Sequence, residues 1–159
     1  MKRVGYCGAL GGIILLWLTC AQPVIKPEED NYAEPVGYNF RFIARDEGIE
    51  DPSRDRRSYY RIFIDKAEEG RTSTGLESQD KVYEGTLSPN RHLITVEKWV
   101  LDERDGRYVK LNNVDQPKPN FIYFDVPEKR VVVLTMITDR DGTARFTISL
   151  ERKHRSGPY

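Results

Sequence analysis

The last third of the chain constrains the fold most sharply. RVVVLTMIT (130–138) meets the turn sequence DRDG (139–142) and returns as TARFTISLERK (143–153). On the return arm Ala144, Phe146, Ile148 and Leu150 share one phase, and Thr147, Ser149 and Glu151 the other. Successive side chains of a strand point to opposite faces. One apolar phase and one polar phase therefore predict an antiparallel strand with one wet side. The first arm is apolar in both phases, which predicts a central strand covered on both faces.

The same period of two runs through everything from Tyr38 onward. YNFRFIAR (38–45) sets Phe40, Phe42 and Ala44 against Asn39, Arg41 and Arg45. SYYRIFID (58–65) sets Tyr60, Ile62 and Ile64 against Tyr59, Arg61 and Asp65. KVYEGTL (81–87), HLITVEKWVL (92–101), RYVKLNNV (107–114) and NFIYFDV (120–126) complete the set, and Asp105-Gly106 between two of them is a hairpin signal. No long segment has a period of 3.6; DKAEEGR (65–71) has room for one helical turn. Charged residues make up 31% of the chain and hydrophobic ones 38%, but the apolar residues gather in runs, unlike a disordered chain. The expected fold is all-β, a single antiparallel β-sandwich of about seven or eight strands over residues 38–153, with a short tail at 154–159. A small barrel is the second architecture.

The front of the chain has a different character. Lys2 and Arg3 precede an uncharged stretch, Val4 to Ala21, centred on an apolar block from Gly8 to Leu18. A basic start, a short apolar block and a small or polar boundary make the layout of a secretory signal. A membrane span normally needs about 20 apolar residues, and four glycines interrupt this one. Leu16-Trp17-Leu18-Thr19-Cys20 resembles the lipobox of bacterial lipoproteins, with Thr19 where a smaller residue is usual and Trp17 where leucine is usual. The resemblance implies a signal peptide at 1–19 and a lipidated Cys20. An uncleaved anchor and an ordinary cleaved signal stay open beside it. All three place the remaining chain outside the cytoplasm. The only other cysteine, Cys7, leaves with the signal. Residues 20–37 then form a tether: three prolines and four acids favour extended backbone and resist collapse.

LSPNRHLITVEKW (87–99) resembles a hairpin of PEGA-type domains, in which a tight turn leads to a histidine that opens a strand. Leu87, Pro89, His92, Leu93 and Thr95 fit, and Asn90 stands where glycine is usual. The resemblance covers 13 residues. It implies a prealbumin- or immunoglobulin-like sandwich with adhesive or scaffolding duties, and carries no catalytic residues.

Motifs for chemistry are sparse. Lys+Arg and Asp+Glu are both 25, so no basic excess points to nucleic acid. GRTSTG (70–75) has the glycine spacing of a phosphate loop but continues with Leu76-Glu77 instead of Lys and Ser/Thr. Asp139 and Asp141 echo the start of a calcium loop and lack its later ligands, so a hairpin turn explains them. With two histidines and no cysteine past Cys20, no transition-metal site and no cofactor is expected. His92 has no nucleophile near it in the sequence and reads as structural. Two candidate surfaces remain. Arg54, Arg56 and Arg57 can grip a phosphate or carboxylate, unless neighbouring acids satisfy them. Tyr59, Trp99, Tyr108 and Tyr123 can line a glycan or protein surface, against the default that about half of the chain's aromatics point into the core.

The expectation is a lipid-anchored protein of the bacterial outer membrane, cell surface or periplasm. Its domain acts as a non-catalytic binding or scaffolding module for envelope proteins; a glycan- or peptidoglycan-binding module is the alternative, and a hydrolase comes third. Radiolabelled palmitate should enter the wild-type chain and not the Cys20→Ala variant; equal labelling of the two rules out lipidation at Cys20.

Overall fold

The computed structural model describes residues 37–152. The expected signal peptide (1–19), Cys20 and the expected tether up to residue 36, together with residues 153–159, lie outside the described residues. Ten strands form: β1 (Phe40–Asp46), β2 (Arg57–Ile64), β3 (Ala67–Arg71), β4 (Gly75–Leu76), β5 (Lys81–Gly85), β6 (Arg91–Asp102), β7 (Arg107–Lys110), β8 (Phe121–Asp125), β9 (Arg130–Thr138) and β10 (Ala144–Arg152). Among the described residues no helix is long and apolar enough to cross a membrane.

The strands make two sheets. The first has the order β10-β9-β1-β5; the second has the order β3-β2-β6-β7, with β4 paired to β2 and β8 paired to β6. The apolar phases read from the sequence face each other across the interior. Phe40, Phe42, Ala44, Val132, Leu134 and Met136 come from one sheet, and Tyr60, Ile62, Ile64, Ile94, Val96 and Phe124 from the other. Rings lock the layers: Phe40 stacks on Phe124 at 4.9 Å between centroids, and Phe42 meets Tyr60 edge-on at 6.4 Å. β9, apolar in both phases, is central between β10 and β1, and Val131 and Val133 are buried on its outer side.

One pairing departs from the antiparallel rule. β1 and β9 run parallel, with Phe40 opposite Val132 through Asp46 opposite Thr138. No hairpin need join them, because the chain visits the other sheet in between, and such a crossover permits parallel neighbours.

Two strands exceed the expected number. The DKAEEGR segment is no helical turn but the tip and return arm of the β2–β3 hairpin. Asp65 and Lys66 both adopt positive φ, 51° and 73°, as a tight two-residue turn requires. Asp65 suits that backbone, and its carboxylate has further work: Oδ1 accepts from the Leu93 amide at 2.9 Å, and Oδ2 lies 2.6 Å from His92 Nδ1. The polar loop that follows is equally structural. Thr72 Oγ1 accepts from the Tyr60 amide at 3.0 Å, and the Ser73 amide donates to the Val82 carbonyl at 2.8 Å. The next residues form β4, which pairs Gly75 with Ser58 and Leu76 with Arg57.

A gap in the second sheet is closed by side chains. β8 pairs with residues 91–95 of β6 and β7 with residues 99–102. Between them, Gln116 Oε1 accepts from the Lys98 amide at 2.7 Å and Gln116 Nε2 donates to the Lys98 carbonyl at 3.0 Å, so its side-chain amide stands in for a strand. Asn120 does the same for Val96, through its backbone carbonyl (2.9 Å) and its Nδ2 (3.2 Å).

His92 opens β6 and is buried. Burial pulls its pKa down, but the Ser88 carbonyl and the Asp65 carboxylate outweigh that and hold it above the ordinary value. Both ring nitrogens face acceptors, Nε2 at 2.9 Å from the Ser88 oxygen, which suits an imidazolium that donates twice. A raised folded-state pKa contributes stability that is complete below about pH 6.5 and is lost as pH rises through the folded value. The denaturation midpoint should therefore fall across neutral pH in the wild type. His92→Gln should remove that slope; an unchanged slope would show that His92 does not titrate with folding.

Candidate functional site

Two features outside the apolar core stand out: a buried ionic cluster beneath a cleft, and the outer face of the six-stranded sheet.

The cluster is built where strands from both sheets reach one end of the sandwich. Asp46 continues the inward phase of Phe40, Phe42 and Ala44. Lys98 continues that of Ile94 and Val96. Lys98 Nζ pairs with Asp46 and lies 2.7 Å from Glu77 Oε1, with both the lysine and Glu77 nearly inaccessible. Arg56 grips Glu77 from the rim, Nη2 to Oε1 at 3.1 Å and Nε to Oε2 at 3.3 Å. Burial alone would lift the Glu77 carboxyl, but Arg56 and Lys98 outweigh it and hold the pKa low. The Tyr60 hydroxyl donates to Asp46 Oδ1 at 3.0 Å, and burial together with that carboxylate raises its pKa well above the ordinary value.

Lys81 completes the cluster. Its fully buried ammonium donates to the carbonyls of Leu76, Glu77 and Gln79 at 2.9, 2.9 and 2.8 Å, one for each N–H. Burial pushes its pKa down to about 8. A lysine so lowered has the acidity of a nucleophilic amine, but three carbonyls enclose this nitrogen and leave no approach for a substrate carbon.

Above the cluster opens a cleft of about 320 Å³, with Asp46, Glu77 and Lys98 lining it and Arg54, Arg56 and Arg140 among its other walls. Residues outside the cleft hold part of its wall: Arg140 Nη2 lies 2.9 Å from Glu50, and Glu47 and Asp139 lie 3.3 and 3.0 Å from Arg145 Nη2. Among the described residues no group of three or more His, Cys, Asp or Glu is placed to hold a metal. The DRDG turn is a hairpin connection, closed by the Asp139 amide on the Thr143 carbonyl at 2.8 Å.

Of the three predicted arginines the structure brings Arg54 and Arg56 to the cleft wall and leaves Arg57 apart. Arg56 is committed to Glu77. Arg54, on a 3-10 turn at Pro52–Arg54, leans on Asp51 at 3.8 Å and is otherwise exposed. Arg57 starts β2 in the phase of Tyr59 and Arg61, on the opposite face of the sheet from the cluster.

The four predicted aromatics share one face, the outside of the six-stranded sheet. Tyr59 and Trp99, directly paired on β2 and β6, lie nearly parallel at 6.1 Å, and Tyr108 meets Tyr59 edge-on at 5.0 Å. Tyr123 stands farther along the same face on β8, opposite Leu93, with Phe121 two residues away opposite Thr95. Phe121 is 51% exposed and Tyr123 54%. Arginines join the two ends. The Arg61 guanidinium lies 5.3 Å from the Trp99 ring centre and 5.9 Å from that of Phe63, and is held by Glu68. Arg71 covers Tyr59 at 5.2 Å, and Arg91 covers Tyr123 at 5.2 Å. The face is thus a stripe of rings and guanidinium planes, on which Arg61 is paired with Glu68 and Lys110 with Glu97 at 2.5 Å, while Arg71 and Arg91 lie over Tyr59 and Tyr123.

No protein-family model, no curated protein and no solved structure matches this chain. The residues themselves carry the functional argument.

Truncating a partner in a buried ionic cluster strands the remaining charges at a cost of about 3–5 kcal/mol. Lys98→Ala should lower the unfolding free energy by that amount in chemical denaturation. A loss under about 1 kcal/mol, the range of exposed pairs, would show that water reaches Asp46 and Glu77.

Proposed function

We propose that this protein is a lipid-anchored, non-catalytic binding module of the bacterial envelope, and that it engages a protein partner through the outer face of its six-stranded sheet. One observation carries the reading: Tyr59, Trp99, Tyr108, Phe63, Phe121 and Tyr123 share that face with Arg61, Arg71 and Arg91. Aromatic residues and arginine are the types enriched where protein interfaces hold their binding energy. Rings pre-oriented by a sheet and by stacked guanidinium groups lose little entropy on binding. The ionic cleft supports the same view from the other side. Lys98, Arg56 and Arg140 among its lining residues are each held by a carboxylate, which leaves them unavailable to a substrate. The N-terminal lipobox resemblance supports the lipid anchor and the envelope location in this reading.

The test is a photo-crosslinking amino acid placed at Tyr123 in the full chain, in intact envelopes, with Glu84 on the other sheet as the control position. The expected result is a discrete protein adduct from position 123, absent from position 84 and weakened at least tenfold by Phe121→Ala and Trp99→Ala, since hot-spot truncations cost about 2 kcal/mol or more and about 1.4 kcal/mol is tenfold. No adduct, or equal adducts from both positions, overturns the reading. Sedimentation with purified peptidoglycan that is lost in Tyr123→Ala would assign the face to a glycan instead.

A further inference from the structure

β10 is a nine-residue strand at the edge of the four-stranded sheet, longer than the four or five residues of β3, β5, β7 and β8. It lacks the usual protection of an edge. The span Phe146–Leu150 contains no proline and no charge, and Ile148 and Leu150 are 43% and 54% exposed although they share the inward phase of Ala144 and Phe146. An open apolar edge of this kind invites another strand. Among the described residues the edge is capped only at its start, where the Lys118 amide donates to the Gly142 carbonyl at 2.9 Å and the Ala144 amide donates to the Lys118 carbonyl at 2.8 Å. Those two bonds fix the direction of the backbone: even-numbered residues of β10 turn their N–H and C=O away from β9, and odd-numbered residues bond to it.

We propose that β10 pairs with β10 of a second copy of this chain, antiparallel, about a two-fold axis through Ile148. The sequence of the edge is complementary to itself in this register. Ile148 meets the partner's Ile148, and Phe146 meets the partner's Leu150. These even-numbered positions carry the free backbone groups, so they form the hydrogen-bonded pairs of the new ladder. The odd positions form the non-hydrogen-bonded pairs, where side chains are closest. There Thr147 meets the partner's Ser149, and Arg145 meets the partner's Glu151, so the symmetry makes two ion pairs that enclose the apolar centre. Arg145 is able to take this contact, because its bonds to Glu47 and Asp139 both use Nη2. A shift of two residues in either direction loses the ion pairs, and a shift of one turns the apolar phase to the wrong side. The interface is isologous and closes on itself, which protects the edge from open-ended association. It lies on the other sheet from the aromatic face, so its failure and the failure of the proposed function are separate results.

The test is sedimentation velocity on the full chain in detergent. The wild type should form a dimer. Ile148→Lys, at a half-exposed position, should leave the fold intact by circular dichroism and abolish the dimer, since the symmetry sets two lysines face to face. R145E and E151R should each weaken dimerisation about tenfold, because cross-strand pairs change from attractive to repulsive at two places. A mixture of the two variants should dimerise again, since one chain then carries acids at both positions and the other arginines. A monomeric wild type overturns the proposal. So does a dimer that survives I148K, or a mixture no stronger than its components.

Discussion

The ionic cluster of Lys98, Asp46 and Glu77 is the constraint on which the sandwich depends at one end. Asp46 ends β1 in one sheet, Lys98 lies in β6 of the other, and Glu77 sits in the link between β4 and β5. Apolar packing holds the layers together along the middle, where Phe40 stacks on Phe124 and Phe42 meets Tyr60, but it carries no charge that must stay paired. A lysine between two carboxylates does, because moving it leaves charges buried without partners. The cluster therefore sets the relative position of the sheets. It also explains the local chain path. The Glu77 carbonyl takes the Asp46 amide at 2.8 Å, the Glu77 amide gives to the Arg56 carbonyl at 2.9 Å, and Lys81 draws in three carbonyls of residues 76–79. A loop with little apolar content is ordered by charge.

The outer face of the second sheet follows from the same arrangement. With the inward phase of β2 and β6 given to the core and the cluster, Tyr59, Arg61, Phe63 and Trp99 are directed outward, where guanidinium groups cover the rings. Rings left on a solvated face are partly shielded by cations, and the large ones at β8 stay open. That division leaves Phe121 and Tyr123 as the open rings of the face, which is why the proposed contact is placed there.

Much of this was legible in the sequence. Period-two alternation located eight of the ten strands, identified β9 as central and placed the core residues, because burial of one sheet face demands it. The helical turn expected at 65–71 was the wrong local reading. Nothing in the acidic segment itself announces a hairpin, and the bonds from Asp65 to Leu93 and His92 that hold its turn come from 27 and 28 residues away. The cluster had a signal that strand counting passes over. Lys98 falls in phase with Ile94 and Val96, and Asp46 with Phe42 and Ala44, so a charged residue stood on each apolar face. Glu77 and Lys81 gave no such sign.

What the sequence determined by itself was the kind of layer. Its two-residue period, turn residues and apolar runs permit little other than strands, since the alternation is a local consequence of the extended backbone. What only the tertiary structure decided was the pairing of charges and of elements: the parallel contact of β1 with β9, the seating of Lys98 between acids 52 and 21 residues away, the separation of Arg57 from Arg54 and Arg56, and the gathering of the aromatics on one face. These depend on which strands become neighbours. That choice rests on contacts between distant segments, where the gain from burying each group is set by what the rest of the chain places opposite it.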